Sequence, residues 1–230
     1  MIDVGQGDCS LITFPFSSRG LLIDAAGNIY KDVGKDIIIP YLNALSIKSV
    51  DVIISHDDYD HSGALSSLVD NFNVCSIYKE KQKVFSLANL SIYTLLHDEK
   101  YEDINDNSLI SYFKIKQFYF LYLGDISKDI EYKLVEKYDN LQVDVVKLSH
   151  HGSNTATSEK LLAAYQMPIA IISAGRNNFY NHPSEAVIER LKQYNVFFLS
   201  TKESNGIRFF VFNHLLIYQT STGQSGFLLK

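Results

Sequence analysis

The chain has 230 residues, of which 46% are hydrophobic and 20% are charged, and its formal net charge is −5. This composition suits one folded domain with a sizeable core and excludes an intrinsically disordered chain. The negative balance excludes a general basic field for nucleic acid, so a polyanion would be bound locally, by metal ions or a few placed Lys and Arg side chains. Two cysteines, Cys9 and Cys75, are too few for a disulfide framework or a thiolate metal site.

No apolar run reaches the roughly 20 residues that a membrane-spanning helix needs. Residues 1–10 lack the basic start and apolar core of a signal peptide. We therefore expect a soluble, cytoplasmic protein with no membrane segment. Without an internal repeat or a linker, residues 1–230 are interpreted as a single domain with a tail of unknown role at 221–230.

Short β-type runs alternate with helical patterns along the chain, which predicts a mixed α/β fold. The first half predicts strands 9–14 and 20–25 as a hairpin, helix 33–45 started or bent by Pro40, strand 50–55, helix 63–71, and strands 74–79, 84–87 and 90–96. After a polar loop at 97–108, the sequence predicts strands 109–115 and 117–123, helix 127–138 with Ser127 as N-cap, strand 143–149, helix 158–165, strand 169–174, loop 175–183, helix 184–194, strand 196–200, and a hairpin-like pair at 207–212 and 214–219.

The acidic and histidine-rich positions share one placement, directly after the carboxyl end of a predicted strand. Asp24, the run 56–61, Asp125 and His150 all lie there. In layered α/β folds such strand ends meet along one edge and form sites, so we predict that these four points converge. Imidazoles and carboxylates without a thiolate suit Zn²⁺, Mn²⁺ or Fe, and the excess of carboxylates favours Mn²⁺.

The run HDDYDH at 56–61 is the densest of these positions. Its spacing allows four side chains to reach two ions about 3.5–4 Å apart, with Asp125 bridging the ions: His56, Asp58, Asp60 and His61. The alternative is a solvated polar loop in which Asp57 or Asp58 caps the helix 63–71. Asp125 and the SHHGS motif in the same chain favour the metal site.

Several ordered motifs carry a resemblance to a known family. SHDDYDHSGAL at 55–65 resembles the His-x-His-x-Asp-His metal motif of the metallo-β-lactamase superfamily, with Asp58 in place of the second His. The whole set is similar to the C-terminal hydrolase domain of the ComEC/Rec2 competence proteins and their free-standing relatives, over roughly residues 2–210: DVGQGDCSLITF, GLLIDAAG, DNSL, YLGD, KLSHHGSNTA and ISAGRNNFYNHPSEAVIERL.

The resemblance implies an αββα four-layer sandwich, with two mixed β-sheets flanked by helices and two divalent ions, Mn or Zn, at one edge. It implies six metal ligands: His56, Asp58, Asp60, His61, Asp125 and His150. His56 and His150 would hold one ion, Asp60 and His61 the other, with Asp125 between them. Asp8 and Asp24 match acidic positions that orient ligand imidazoles from behind. The further His usual in the superfamily is absent, since Asp106-Asn107-Ser108 stands there; this loss is shared with ComEC-like proteins.

Other side chains near the motifs are candidates for contact with substrate. For each of them, a turn, a cap or a surface position is the alternative role. His182 is a candidate general acid or phosphate contact, because its Gly- and Asn-rich loop follows a strand. Together with Asp60 and Ser153 it forms the predicted catalytic set. The predicted substrate-binding set is Asn107, Ser108, His151 and Arg176.

The function expected from the resemblance is a metal-dependent hydrolase, in particular a phosphodiesterase or nuclease acting on DNA or other nucleic acid through a metal-activated hydroxide. The first alternative is a hydrolase of a small phosphodiester, cyclic nucleotide, lactone or amide. The second is a non-catalytic metal-binding regulatory module, a partner of a defence or DNA-uptake system. Asp60, Asp125 and His150 argue against this second alternative, because a purely structural site is expected to be closed by protein ligands alone.

Overall fold

The computed structural model describes residues 1–87 and 89–230. The strands of these residues are β1 Ser10–Thr13, β2 Arg19–Ile23, β3 Ser49–Ile53, β4 Val74–Tyr78, β5 Val84–Leu87, β6 Leu90–Leu95, β7 Ile110–Ile115, β8 Phe118–Tyr122, β9 Val145–Lys147, β10 Ile169–Ile172, β11 Phe197–Ser200, β12 Ile207–Val211, β13 Leu215–Thr220 and β14 Ser225–Leu229. The α-helices are α1 Ile39–Ala44, α2 Tyr59–Ser62, α3 Leu65–Asn71, α4 Lys128–Lys137, α5 Glu159–Tyr165, α6 Glu185–Gln193 and α7 Thr201–Ser204.

The predicted order of strands and helices is confirmed, with local differences. The helix predicted over 33–45 is a π-helical turn, Gly34–Ile38, followed by α1. Pro40 lies in the first turn of α1, directly after the π-helical turn. Ser127 occupies the N-cap position of α4, but its side chain makes no capping hydrogen bond. Part of the predicted tail forms β14, which pairs antiparallel with β13.

The strands form two mixed sheets and one small antiparallel sheet. The first has the order β1-β2-β3-β4, and the second has the order β11-β10-β9-β8-β7-β6-β5. In the second sheet β8 to β11 run parallel, whereas β5 to β8 run antiparallel. The third sheet, β12-β13-β14, is an addition to the two sheets that the sequence predicts.

Three apolar clusters fix the layers. Between the two mixed sheets, Leu21 and Ile53 of the first belong to one cluster with Phe113 and Phe120 of the second. A second cluster joins the outer face of the first sheet to α1 and α3. A third joins the outer face of the seven-stranded sheet to α4, α5 and α6. The predicted αββα arrangement is therefore confirmed.

Parallel strands place the candidate site residues at one edge of the two mixed sheets. β2 and β3 are parallel neighbours in the first sheet, and β8, β9 and β10 are parallel neighbours in the second. Because the carboxyl ends of parallel strands share one edge of a sheet, the segments that follow these strands lie together. Among the residues that the structure describes, no helix has both the length and the apolar character to cross a membrane.

A buried carboxylate joins α4 to the start of α5. Glu131 is fully buried and accepts hydrogen bonds from the backbone N–H groups of Thr157 and Ser158, at 2.7 and 2.6 Å. The hydroxyl of Ser158 in turn accepts from the Leu161 N–H and caps α5. Removing this carboxylate would leave two buried N–H groups without a partner.

We expect Glu131→Ala to lower the free energy of unfolding by about 2–4 kcal/mol, since each unsatisfied buried polar group costs about 1–3 kcal/mol. Urea unfolding followed by circular dichroism measures this change. The matched control is Glu136→Ala on the same helix, whose exposed carboxylate pairs with Lys160 at 2.6 Å and should matter little. Equal effects of the two substitutions would contradict the role of Glu131 as the acceptor for these two N–H groups.

Candidate metal centre

The conformation of the run 56–61 is fixed by α2 and by the first motif of the chain, residues 3–14. The His61 N–H donates to the Asp58 carbonyl at 3.0 Å, which closes the turn. The Asp8 N–H donates to the Asp60 carbonyl, also at 3.0 Å. Gly7 makes this approach possible, because it has φ 123° and a Cβ there would lie 2.5 Å from the Asp60 carbonyl oxygen.

His61 is a buried imidazole whose two nitrogens have different surroundings. Its Nδ1 lies 3.0 Å from Asp24 Oδ2, and Asp24 is itself fixed by the N–H and hydroxyl of Ser55 at 2.6 and 2.9 Å. A carboxylate at this distance holds the proton on Nδ1, which leaves the lone pair on Nε2. Nε2 lies 3.1 Å from Asp125 Oδ1 but makes no hydrogen bond to any residue that the structure describes. A lone pair facing a carboxylate is stable only with a proton or a cation between them.

His151, from the other sheet, has hydrogen-bond partners at both ring nitrogens. Its Nδ1 lies 3.0 Å from the Ser173 carbonyl, which only accepts, so Nδ1 carries a proton. Its Nε2 lies 3.0 Å from Asp60 Oδ2 and 3.5 Å from Asp125 Oδ2. Donor atoms around one ion with bonds of about 2.0–2.2 Å are about 3.0–3.4 Å apart, which is close to these separations.

His56 supplies a third converging imidazole. Its Nε2 is buried without a hydrogen-bond partner and lies 3.7 Å from Asp58 Oδ2. Ligand atoms of His56, His61 and Asp125 all lie within 4.8 Å of one another. Burial and the neighbouring His61 lower the pKa of His56, so the ring is neutral near pH 7 and can ligate. His56, His61 and Asp125 therefore fit a divalent metal ion.

Charge compensation at this edge is strong. Burial lowers the pKa of His151, but Asp125 and Asp8 outweigh burial and raise that pKa to about 9. Burial opposes ionisation of Asp125, but His61 and His151 hold its pKa well below the usual range. A metal ion must displace protons from these rings, so its affinity should increase with pH.

Asp8 lies behind the imidazoles and pairs with a buried lysine. The ammonium of Lys147 in β9 contacts the Asp8 carboxylate, and both side chains are buried. Asp8 oxygens lie 3.4 Å from His151 Nδ1 and 3.7 Å from His61 Nδ1. These three residues also have the spacing of metal ligands. Lys147 already supplies the cation there, and both Nδ1 atoms have acceptor partners, so we interpret Asp8 as orienting the rings.

His150, expected to be a ligand of the first ion, has different contacts. Its backbone N–H donates to the Gly124 carbonyl and to Asp125 Oδ1, each at 3.2 Å, and its ring Nδ1 lies 3.4 Å from Thr155 Oγ1. In the part of the chain that the structure describes, neither group with metal-ligand spacing contains His150. The Nε2 of His151, expected to contact substrate, faces Asp60 and Asp125.

The DNS segment supports the site instead of facing outward. Ser108 is buried, and its hydroxyl accepts the Asp125 N–H at 3.0 Å and lies 3.3 Å from His56 Nδ1. The Asn107 amide donates to the Tyr101 carbonyl at 2.6 Å and so closes its own loop. The sequence predicts contact with substrate for both residues; the structure gives each a supporting role.

The remaining candidates lie around this centre. The Ser153 hydroxyl lies 2.9 Å from Thr155 Oγ1 within a turn. Arg176 is exposed and its guanidinium bonds the side chain of Asn205. The His182 ring stacks on His151 at 6.3 Å between centroids, and its Nδ1 has no hydrogen-bond partner. Burial, His151 and His150 lower the pKa of His182 to about 4. A neutral ring favours a hydrogen bond to phosphate over general acid catalysis.

Sequence reasoning missed three groups that hold the site together. Lys147 had a signal, because it is a cation in the otherwise apolar strand VDVVKLS. Ser55 directly precedes His56, but its contact with Asp24 depends on the packing of β2 beside β3. The Ser173 carbonyl is a backbone group, so no side-chain pattern could reveal it.

Comparison with known proteins identifies the family. The family model of the metallo-beta-lactamase superfamily matches residues 2–116, half of the chain. The chain belongs to the metallo-beta-lactamase superfamily. This membership, together with the convergent imidazoles and carboxylates, supports a metal-dependent hydrolase that binds divalent metal.

Curated relatives of this superfamily member are competence proteins, which confirms the resemblance seen in the sequence. ComE operon protein 3 of Bacillus subtilis (strain 168) is 27% identical over 91% of this chain and 32% of its own length. Competence protein ComA of Neisseria gonorrhoeae is 30% identical, over 90% of this chain and 31% of its own length. Recombination protein 2 of Haemophilus influenzae is 27% identical, over 90% of this chain and 28% of its own length. The chain thus spans about a third of the length of these relatives.

We expect His151→Ala to lower the bound divalent metal by about one ion per chain, because its Nε2 faces Asp60 and Asp125. His150→Ala is the matched neighbour and should keep the wild-type metal content. Equilibrium dialysis against Mn²⁺ followed by elemental analysis measures both. Loss of metal in His150→Ala with retention in His151→Ala would contradict this assignment.

We expect Lys147→Met to destabilise the protein by about 3–5 kcal/mol, because it leaves the buried Asp8 carboxylate without its cation. The double variant Asp8→Asn with Lys147→Met removes both charges and should recover much of this loss. Chemical unfolding in the presence of a chelator keeps the metal content equal. A double variant no more stable than Lys147→Met would argue against the ion pair.

Proposed function

We propose that this metallo-beta-lactamase superfamily member is a phosphodiesterase that hydrolyses DNA or another nucleic acid. The observation that carries the proposal is the position of Asp125, whose oxygens lie 3.1 Å from His61 Nε2 and 3.5 Å from His151 Nε2. Two bound divalent ions would supply the positive charge for a phosphate and lower the pKa of water. The net charge of −5 makes such local positive charge necessary for a polyanionic substrate.

The side chains of the proposed centre divide into holding and reacting groups. Asp24 and the Ser173 carbonyl keep the protons on the Nδ1 atoms of His61 and His151, so that each Nε2 would direct a lone pair into the centre once a metal ion displaced its proton. Asp60 is half-buried and remains ionised, because the His151 contact outweighs burial and lowers its pKa. It can accept a proton from water at this edge. The neutral His182 ring can hydrogen-bond a phosphate oxygen.

The expected metal follows from the ligand chemistry. The proposed ligands are three carboxylates and three imidazoles, without a thiolate: Asp58, Asp60, Asp125, His56, His61 and His151. Oxygen-rich sites of this kind favour Mn²⁺ over Zn²⁺, and Asp58 tilts the balance further because a carboxylate stands where most relatives are expected to have an imidazole.

The names of the relatives support a nucleic-acid substrate. Two are described as competence proteins or products of a competence operon, and one as a recombination protein. We propose that this chain acts in the cytoplasm on nucleic acid, beside partner proteins of a DNA-uptake or defence system.

We expect the Mn²⁺-loaded chain to degrade labelled DNA, and Asp60→Asn to lower the rate by about 10²–10⁴-fold, the range of a group that moves a proton in the reaction. The matched control is Asp57→Asn. The Asp57 side chain is largely exposed and pairs with Lys79, so this variant should keep its rate. Gel electrophoresis of the products measures the rate of DNA degradation by the wild-type chain and by the two variants.

Other outcomes separate the alternatives. Hydrolysis of bis(p-nitrophenyl) phosphate without any action on DNA or RNA would favour a small phosphodiester as substrate. Bound metal without hydrolysis of any phosphodiester would overturn the proposal and favour a regulatory module.

A further inference from the structure

The loop 175–183 leads from β10 past the metal centre and is held by one side chain. The Asn178 amide donates to the carbonyls of Gly175 and His182, each at 2.7 Å, and its oxygen accepts the His182 N–H at 2.7 Å. The Gly175 N–H donates to Gln6 Oε1 at 3.1 Å. These hydrogen bonds therefore join the two ends of the loop to each other and to Gln6 in the first motif of the chain.

Two aromatic side chains stand at the tip of this loop. Phe179 is 94% exposed and Tyr180 is 70% exposed. These two rings contribute little hydrophobic free energy to folding, because both leave most of their apolar surface in water. Exposed aromatic rings on an ordered loop beside a reaction centre are suited to binding a flat apolar ligand.

The orientation of the rings indicates what kind of ligand fits. Tyr180 stacks on His182 with 5.6 Å between centroids and 24° between planes. His182 stacks on His151 with 6.3 Å and 25°. These three rings form a nearly parallel column, which runs from the exposed tip to the buried imidazole that faces Asp125. A planar ring placed on the outer face of Tyr180 would extend the column into solvent.

Two cationic residues lie on or against this loop. Lys202 Nζ donates to the His182 carbonyl at 3.3 Å, and Arg176 is exposed on the same loop as Tyr180. Within a nucleic-acid strand, each nucleobase is a flat ring with a negatively charged phosphate on either side. Bases stack on aromatic side chains whatever their sequence, and nearby Lys and Arg contact the phosphates.

We propose that the Tyr180 ring, beside Phe179 at the tip of the loop, is a base-stacking platform, which binds an unpaired nucleobase next to the phosphate held at the metal centre. The proposal deepens the phosphodiesterase function and rests on it. It makes single-stranded nucleic acid, or an unpaired end, the preferred substrate. A base inside a duplex already has both of its faces stacked and cannot reach Tyr180 without being unpaired.

The test measures binding without turnover. In the full wild-type chain loaded with Mn²⁺, fluorescence anisotropy compares three ligands whose phosphorothioate linkages resist hydrolysis: a short single-stranded oligonucleotide, the same oligonucleotide with abasic sites, and its duplex. We expect the normal strand to bind at least about tenfold more tightly than the abasic strand and the duplex. Tyr180→Ala should reduce the tenfold preference over the abasic strand to about one, whereas Tyr180→Phe should retain it.

The control for loss of an exposed ring is Phe16→Ala. Phe16 is fully exposed in the turn before β2, at the opposite end of that strand from Asp24, and this variant should keep the preference. Equal binding of normal and abasic strands, equal binding of duplex, or an unchanged preference in Tyr180→Ala would overturn the platform. If the preference is found but the wild-type chain hydrolyses no phosphodiester, the proposed function fails and the platform stands as a base-binding site.

Discussion

The carboxylate of Asp125 is the group on which the site depends. It is buried, and it faces the Nε2 atoms of His61 and His151, whose other nitrogens are already fixed by Asp24 and by the Ser173 carbonyl. Burying an anion costs several kcal/mol unless it is compensated. The chain compensates Asp8 with Lys147 and Asp24 with Ser55. Protonated imidazoles compensate Asp125, and a divalent cation that displaced their protons would supply the same positive charge. This exchange links the fold to the chemistry.

The arrangement depends on two sheets packed face to face. β2 and β3 bring Asp24 and the run 56–61 to the edge, while β8 and β9 bring Asp125 and His151 to the same edge from the other sheet. Gly124, between β8 and Asp125, has φ 58°, and a Cβ there would lie 2.5 Å from Ser108 Cβ. The contact that orients Asp125 therefore needs a glycine before it. A site assembled across two sheets requires the whole sandwich to be folded.

Much of this could be predicted from the sequence, because the signals are local. Alternating apolar residues predict the strands, and carboxylates and imidazoles after strand ends predict a shared edge. The choice between His150 and His151 could not be predicted, because adjacent residues in one motif have the same spacing. The two rings differ in their long-range contacts, since His151 lies against Ser173 and Asp60 whereas His150 Nδ1 lies near Thr155. Lys147 with Asp8, and β14 with β13, are long-range pairings that no local pattern contains.

Anomalous diffraction from crystals of the Mn²⁺-loaded protein, measured at the Mn absorption edge, tests most directly whether Asp125 lies between two metal ions. We expect two peaks about 3.5–4 Å apart on either side of the Asp125 carboxylate. His56 Nε2 should coordinate one ion, and His151 Nε2 with Asp60 should coordinate the other. Peaks coordinated by His150 in place of His151, or metal bound at this edge without Asp125, would contradict this arrangement.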